Sequence, residues 1–366
     1  MDNQLELGKS SAGKWAVIGV LLLGIAGGTI AVLYWAQGLN VVPDNGANNG
    51  PWDRELAIKE LAQLDDELGK AKGTRRYGKV LQKAITYVDK YPKFSDGYML
   101  LAKIYIELYQ WPRAYEQLEK ALKIEYRQPE VHHLAGTVKF AMNFLDEAER
   151  HYRTAHQIDP NNAKHLVYLA QVFIRRGEYP KARVMLLDAL RINRQLHQAY
   201  ATMSDLNMKE NNARSALQQI EKAIKFSDAL DRPLAISYQL KAAAAHRRIG
   251  DADAAILTLQ DNLQPDELIF PHIATDIALS WGLKGQPELA ARFLEKAFEQ
   301  NHRMDWVLIK AAANWRIKMR DFETATKHIA EIRRLDPKQP AIADLQERIR
   351  KAKAAPEQKP LENTNQ

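Results

Sequence analysis

The chain of 366 residues contains no cysteine. A disulfide framework, a thiolate metal site and a cysteine nucleophile are therefore excluded, although the redox compartment stays open. No Asn-x-Ser/Thr sequon occurs, which argues against a eukaryotic secretory lumen. The sequence also lacks a nucleophile elbow, a Walker glycine loop and a dinucleotide-binding fingerprint. We therefore expect no catalytic residue, no cofactor and no enzyme activity.

The charges are mixed rather than gathered into one stripe. Lysine and arginine total 52 and aspartate and glutamate total 45, giving a net charge of +7. A nucleic-acid partner is not expected, because the basic residues alternate with acidic ones. His132, His133, Glu147 and His151 lie within one predicted repeat. Adjacent histidines point in different directions, so we expect no metal ion there.

Small residues recur along the chain at a nearly constant spacing. A reference alanine returns at intervals of 34, 34, 34, 39, 35 and 35 residues, a second small residue precedes it by twelve positions, and a bulky residue follows it by four. Such a period indicates stacked helical hairpins in which a small residue permits close approach and a large one fills the next turn. The reference alanines are Ala114, Ala148, Ala182, Ala216, Ala255, Ala290 and Ala325; the preceding small residues are Ala102, Gly136, Ala170, Ser204, Ala243, Ala278 and Ala313.

The unit from Ala163 to Leu196 resembles a tetratricopeptide repeat, with Gly177, Tyr179 and Ala182 among the residues in the family's places. The resemblance implies an all-α fold, a right-handed superhelical solenoid of seven or eight helix hairpins. Its predicted units span residues 95–128, 129–162, 163–196, 197–230, 236–270, 271–305 and 306–339. A degenerate repeat is expected at 54–94, a polar capping helix at 340–354 and a disordered tail at 355–366. An insertion of five residues is expected to lengthen the loop between Asp228 and Pro233.

Residues 15–36 form an uncharged, mostly apolar run near the N-terminus. At 1.5 Å per residue a helix of this length spans a hydrocarbon core of about 30 Å. A cleaved signal peptide is the rival interpretation, but its apolar stretch is shorter, so we expect an uncleaved transmembrane helix. Lys9 and Lys14 precede the run and no lysine or arginine follows before Asp53, which places residues 1–14 in the cytoplasm.

This topology predicts a single-pass protein of a bacterial inner membrane, with the repeats in the periplasm. Residues 37–53 are rich in Gly, Asn and Pro and are expected to form a flexible stalk. Gly24 and Gly28 form a G-x-x-x-G pair that permits weak dimerisation of the helix, although a glycine-rich anchor without a partner is the favoured interpretation.

The family resemblance implies that the first helix of each pair binds a protein partner or an extended peptide. The expected function is therefore a non-catalytic, membrane-tethered scaffold or adaptor of an envelope complex, and a periplasmic holdase for unfolded clients is the alternative. The groove is expected to be mixed polar and apolar with excess positive charge, which suits an acidic segment, although its basic residues also fit simple solvated charges. The predicted groove residues are His133, Phe140, Lys164, Gln171, Arg175, Asp205, Lys209, Arg247, Arg248, Lys310, Asn314 and Lys318.

Overall fold

The computed structural model describes residues 51–74, 77–227, 232–301 and 305–355. The chain divides into two compact units, residues 1–62 and 63–366. The predicted transmembrane helix with Gly24 and Gly28, residues 37–50 of the predicted stalk and residues 356–366 of the predicted tail lie outside the described residues. None of the described helices is long and apolar enough to cross a membrane.

Within the described ranges the secondary structure is entirely helical, which confirms the all-α fold class. The helices are α1 (Pro51–Thr74), α2 (Gly78–Lys90), α3 (Ser95–Glu107), α4 (Trp111–Ile124), α5 (Pro129–Ala141), α6 (Leu145–Ile158), α7 (Lys164–Arg176), α8 (Tyr179–Ile192), α9 (His197–Lys209), α10 (Ala213–Phe226), α11 (Arg232–Ile249), α12 (Ala252–Asn262), α13 (Pro265–Leu268), α14 (Pro271–Leu283), α15 (Pro287–Gln300), α16 (Trp306–Lys318), α17 (Phe322–Leu335) and α18 (Pro340–Ala354).

Seven helix pairs follow one another from Ser95 to Leu335, and each pair packs against the next. We call α3, α5, α7, α9, α11, α14 and α16 the first helices, and α4, α6, α8, α10, α12, α15 and α17 the second helices. The first helices have 13 residues and the second 14, except in the fifth pair, where α11 has 18 and α12 has 11. The result is a helical solenoid.

A residue with positive φ joins the two helices of every pair. At this turn the amide of the next residue bonds to the carbonyl five positions earlier, for example Glu178 N to Phe173 O at 2.8 Å. This Schellman bond ends the first helix, and its left-handed residue favours glycine or asparagine. The turn residues are Tyr109, Asn143, Gly177, Asn211, Gly250, Gly285 and Arg320.

The recurring small residues lie where the helices of a pair meet. Ala102 and Ala170 have no exposed surface, and the hydroxyl of Ser204 donates to the carbonyl of Ala216 at 2.8 Å. In the second pair the bulky partner is Tyr152, and a Cβ added to Gly136 would lie 2.7 Å from its ring. The larger ring is thus accommodated by the absence of a side chain on the facing helix.

Two predicted boundaries were wrong. Helix α1 begins at Pro51, so residues 51–53 of the predicted stalk are helical. Helix α11 begins at Arg232, four residues before the predicted unit, so Arg232 and Pro233 belong to a helix rather than to an enlarged loop. Proline is tolerated in the first turn of a helix, where its missing N–H has no intrahelical partner, which explains how the insertion extends α11.

Helix α18 follows the last pair and covers its apolar surface. Ile342, Leu345 and Ile349 are buried in the same cluster as Leu308 and Ile329 of the last pair. The outward face of α18 is charged, and Arg350 pairs with Glu347 at 2.7 Å. This helix therefore serves as the polar cap that the end of a solenoid needs.

Candidate protein-binding surface

The structure places all the predicted groove residues on first helices. We call the surface that these helices present the first-helix row. The row residues are His133 and Phe140 on α5; Lys164, Gln171 and Arg175 on α7; Asp205 and Lys209 on α9; Arg247 and Arg248 on α11; and Lys310, Asn314 and Lys318 on α16.

Polar side chains connect neighbouring first helices along the row. Gln171 of α7 donates to the hydroxyl of Thr202 on α9 at 3.4 Å. Lys103 of α3 pairs with Glu130 of α5 at 2.8 Å. These contacts join residues about one repeat apart in sequence, so part of the row is used to hold successive repeats together.

The acidic residues in the middle of the row are also paired across repeats. Asp205 of α9 forms an ion pair with Lys241 of α11. Asp276 of α14 binds Arg247 of α11 at 3.0 Å, and only 13% of the Arg247 side chain is exposed. Burial raises the pKa of the Asp276 carboxyl, and the Arg247 guanidinium opposes this shift. Arg247 is thus a structural cation rather than a free binding group.

Other cations of the row have no acidic partner among the described residues. All of them are exposed, in contrast to Arg247, and they lie on four of the first helices. Since the neighbouring carboxylates of Asp205 and Asp276 are already neutralised, these cations give the row a local excess of positive charge. They are Lys164, Arg175, Lys209, Arg248 and Lys318.

Two of these cations are positioned by asparagines of the preceding repeat. The guanidinium of Arg175 donates to Asn143 Oδ1 at 3.4 Å and lies over the ring of Phe140, 4.4 Å from its centroid. The guanidinium of Arg248 donates to Asn211 Oδ1 at 2.5 Å. Both asparagines are left-handed turn residues, so the turn that ends one first helix orients a cation on the next.

The last pair carries its cations over tryptophan rings. The amine of Lys318 lies 4.2 Å from the centroid of the Trp315 ring, and that of Lys310 lies 5.7 Å from the Trp306 ring. Contacts of this kind are weakly attractive and leave the ammonium group accessible.

The side-chain carbonyl of Asn314 contacts the capping helix. Arg348 of the capping helix α18 donates to Asn314 Oδ1 at 3.4 Å. The capping helix thus engages one of the predicted groove residues, which the position of Asn314 on α16 did not reveal.

The side chain of His133 packs against neighbouring residues instead of facing a partner. Its Nδ1 lies 3.3 Å from Nδ1 of His165, and its ring contacts Tyr168 at a centroid distance of 4.5 Å. Desolvation lowers the pKa of His133 to about 4, and His165 contributes by charge repulsion. At neutral pH this histidine is uncharged and adds no electrostatic attraction for a partner.

A second histidine pair lies within the second repeat and contacts two tyrosines of the first. The Nε2 of His132 lies 2.9 Å from the carbonyl of Tyr126, which can only accept, so His132 Nε2 carries the proton. His132 Nδ1 then accepts from Nδ1 of His151 at 3.2 Å, and His151 Nε2 accepts from the hydroxyl of Tyr115 at 3.3 Å. The network assigns a neutral tautomer to both rings.

The histidine and glutamate side chains of the second repeat do not converge on one point. His132 faces His151 whereas His133 faces His165, and Glu147 pairs with Lys139 at 2.7 Å. No group of three or more candidate ligands that could hold a metal ion occurs among the described residues.

Sequence reasoning missed the partners of the row residues. Lys241 and Asp276 pair with predicted groove residues, and Asn143 and Asn211 orient two cations. One signal for the asparagines was present: Asn143 and Asn211 occupy the position of Gly177 at the repeat period. No sequence signal identified the ion pairs, because they depend on how neighbouring first helices are offset.

A family model of the tetratricopeptide repeat matches residues 140–206, which run from the end of α5 into α9. Residues 140–206 match the tetratricopeptide repeat. The match confirms the family resemblance for these residues, and the remaining helix pairs continue the same register of small residues and turns.

Two curated proteins of Arabidopsis thaliana are similar to part of the repeats. Protein NPGR1 is 25% identical over 131 residues, which are 35% of this chain and 19% of the relative. Protein NPGR2 is 29% identical over 124 residues, which are 33% of this chain and 17% of the relative. The matches thus span less than a fifth of either relative. Because both relatives are plant proteins, the bacterial source stays a prediction.

Solved structures show the same repeat fold. The Cut9-Hcn1 hetero-tetramer of APC/C aligns with a TM-score of 0.56 and 14% identity, covering 78% of this chain and 48% of that one. Yeast Tom70 aligns with a TM-score of 0.52 and 15% identity, covering 81% and 63%. A repeat protein of Parabacteroides merdae aligns at 0.50 and 14%, covering 69% and 99%. At these identities the likeness concerns the fold alone.

Proposed function

We propose that this protein is a non-catalytic scaffold that holds a protein partner on the first-helix row. The observation that supports this is the distribution of charge along the row. The carboxylates of Asp205 and Asp276 are paired across repeats, whereas Lys164 and Lys209 are exposed without an acidic partner among the described residues. A surface that neutralises its acids and leaves its bases accessible is suited to an acidic partner.

We further propose that the scaffold is tethered to a bacterial inner membrane by residues 15–36, with residues 1–14 in the cytoplasm and the repeats in the periplasm. The apolar length of this segment and the placement of Lys9 and Lys14 support the proposal. Tethering raises the local concentration of the scaffold near a partner in the envelope, which favours assembly or secretion of an envelope complex. Weak dimerisation through Gly24 and Gly28 is compatible with this arrangement.

The test is partner capture by crosslinking of the full-length chain in its native membrane. A row variant carries Lys164→Glu and Lys209→Glu, and a matched control carries Lys222→Glu and Lys296→Glu on second helices, where both lysines are exposed. Arg247 is left intact because its replacement would break the pair with Asp276. We expect a short, reproducible set of partners that the row variant loses and the control retains. Identical sets from both variants would contradict binding on the row.

The holdase alternative is favoured by apolar side chains exposed outside the row. Val184 on α8 and Leu257 on α12 are 51% and 53% exposed, on helices that present polar residues elsewhere. A holdase binds many unfolded clients weakly, so the purified full-length chain would slow the aggregation of unrelated unfolded proteins. The scaffold proposal expects no such protection, and it expects that Lys164→Glu with Lys209→Glu leaves the aggregation rate unchanged.

A further inference from the structure

We propose that the row recognises an extended acidic segment of a protein through a cation ladder, defined as Arg175, Lys209, Arg248 and Lys318. The inference rests on the proposed function, because it assigns a partner chemistry to the first-helix row. It commits to a peptide that presents three acidic residues, one apolar residue and a further acidic residue, each three positions after the last.

The ladder residues share one position in the repeat. Each lies five residues after the small residue of its first helix and two residues before the left-handed turn residue. Three consecutive repeats and the last one therefore carry a cation at the same place. The remaining repeats have Glu107, Ala141 and Leu283 there.

Nearby acids do not neutralise the ladder. Glu210, adjacent to Lys209, forms an ion pair with Arg183 of α8. Asp251 and Asp321 each accept a backbone N–H at the start of a second helix, at 2.9 and 3.1 Å. The carboxylates of Asp251 and Asp321 thus stabilise helix N-termini. The four ladder cations have no ion pair among the described residues.

Two ladder side chains are already oriented. Asn143 holds Arg175 and Asn211 holds Arg248, each from the turn of the preceding repeat. A guanidinium that is held by a neutral amide keeps its charge and its other donors for a ligand. Prior orientation lowers the conformational entropy that binding a carboxylate would otherwise cost.

The helix dipole offers a purely structural explanation for cations in the last turn of a helix. It would account for Arg175 or Lys318 taken singly, since either stabilises the carbonyl end of its own helix. It does not require the asparagine contacts to Arg175 and Arg248, which join different repeats. The helix-dipole explanation predicts that the ladder residues affect stability, whereas the ladder proposal predicts that they affect peptide binding.

Spacing defines the partner. Packed helices lie about 8–10 Å apart, and an extended chain advances about 3.3 Å per residue, so one repeat corresponds to about three peptide residues. Arg175, Lys209 and Arg248 then meet acidic residues at every third position. Leu283 stands at the next position and is 63% exposed, so it meets an apolar residue before Lys318 meets another acid. A polyanion without side chains would make no use of Leu283, which favours a peptide over a polysaccharide.

The experiment measures binding of fluorescent peptides to the purified full-length chain. The probe is a peptide of about 13 residues with glutamate at positions 1, 4, 7 and 13 and leucine at position 10, together with its reversed sequence, because either chain direction satisfies the spacing. A third peptide has the same composition with its four glutamates adjacent. Heparin serves as a polyanion without apolar side chains.

The ladder variant is Arg175→Gln, Lys209→Gln, Arg248→Gln and Lys318→Gln. Its matched control removes two arginines and two lysines from second helices, by Arg214→Gln, Lys222→Gln, Lys296→Gln and Arg333→Gln; all four are exposed. Both variants lose the same net charge. Thermal unfolding of each is measured beside binding, because the dipole explanation predicts a lower melting temperature for the ladder variant without any effect on a peptide.

We expect one of the two spaced peptides to bind, the ladder variant to weaken it about tenfold or more, and the control variant to change it less than about twofold. Equal binding of the adjacent-glutamate peptide or of heparin, with equal loss in the variant, would overturn the spacing and the peptide class. Equal loss in both variants would show a net-charge effect and also overturn the ladder. If neither spaced peptide binds while partner capture still depends on Lys164 and Lys209, the proposed function stands and the ladder alone fails.

Discussion

At the scale of single residues, the histidines of the second and third helix pairs form contacts that need neutral rings. His132 and His165 are 2% and 3% exposed, and each lies within hydrogen-bond distance of a second histidine. Protonating both members of a pair would place two positive charges about 3 Å apart in a poorly hydrated site. The repeats therefore contain a built-in sensitivity to acid.

The first prediction concerns pH. The pKa values of His133 and His151 are lowered to about 4 by desolvation, whereas an unfolded histidine titrates near 6.5. Below pH 6.5 the unfolded chain binds protons that the folded chain does not, so stability is complete above pH 6.5 and falls towards pH 4. The full loss, reached below pH 4, is on the order of 3 kcal/mol for each histidine.

Urea unfolding followed by circular dichroism at several pH values measures this loss. We expect His133→Gln with His151→Gln to unfold with a smaller dependence on pH between 6.5 and 4 than the parent chain. His272→Gln is the control, because His272 is exposed on α14. An unchanged pH dependence in the double variant would show that His133 and His151 do not determine the acid sensitivity.

At the scale of helices, the two helices of a hairpin pack closely because a small residue on the first helix faces a large residue on the second. In the second repeat Gly136 faces the ring of Tyr152, and Ala102 and Leu118 occupy the same two positions in the first repeat. Tyr152 has no exposed surface, and its hydroxyl donates to Thr137 at 3.2 Å. The backbone of α5 can approach this ring only because position 136 lacks a side chain.

A double-mutant cycle tests this size pairing. Gly136→Ala forces a methyl group against the ring and is expected to cost about 1–3 kcal/mol of unfolding free energy. In a Tyr152→Leu background the same change is expected to be neutral or to stabilise by about 0.5–1 kcal/mol, because alanine is the better helix former. Gly69→Ala in α1 is the control, since nothing lies within 4 Å of its added Cβ. Equal costs in both backgrounds would refute the pairing.

At the scale of the whole molecule, the array is built from contacts between neighbouring repeats. Each helix pair packs on the next, and α18 completes the last pair. Such an array can present its row wherever the chain is anchored, because no repeat depends on distant parts of the sequence. In the proposed topology, the N-terminal segment determines the compartment of the repeats.

The absence of cysteine permits a direct test of topology. Gln346 is exposed on α18, so Gln346→Cys gives a single reactive thiol on the capped end of the array. In cells with a permeabilised outer membrane, a membrane-impermeant maleimide is expected to label Gln346→Cys. Ser10→Cys, which precedes the apolar run, is expected to react only after lysis. The reverse labelling pattern would invert the proposed orientation.

The sequence predicted most of the helical organisation and little of the surface chemistry. The recurrence of Ala102 and Ala114 at the repeat period indicated the hairpins, because close packing imposes the same residue sizes on every unit. It did not indicate that α11 starts at Arg232, since a proline is compatible with a loop and with a first helical turn. The position of Arg247 on a first helix could be predicted from the sequence. Its burial against Asp276 could not.

The sequence by itself determined the all-helical class and the period of the repeats, because helical periodicity is a local property. The groove residues were an expectation from the family resemblance, and the structure places them on first helices. Only the tertiary structure decided which charges remain available. Arg247 and Arg248 are adjacent in sequence, yet one is paired with Asp276 and the other is exposed beside Asn211. The difference arises because each helix turns consecutive side chains by about 100°, so that neighbouring repeats meet one of them and leave the other to the solvent.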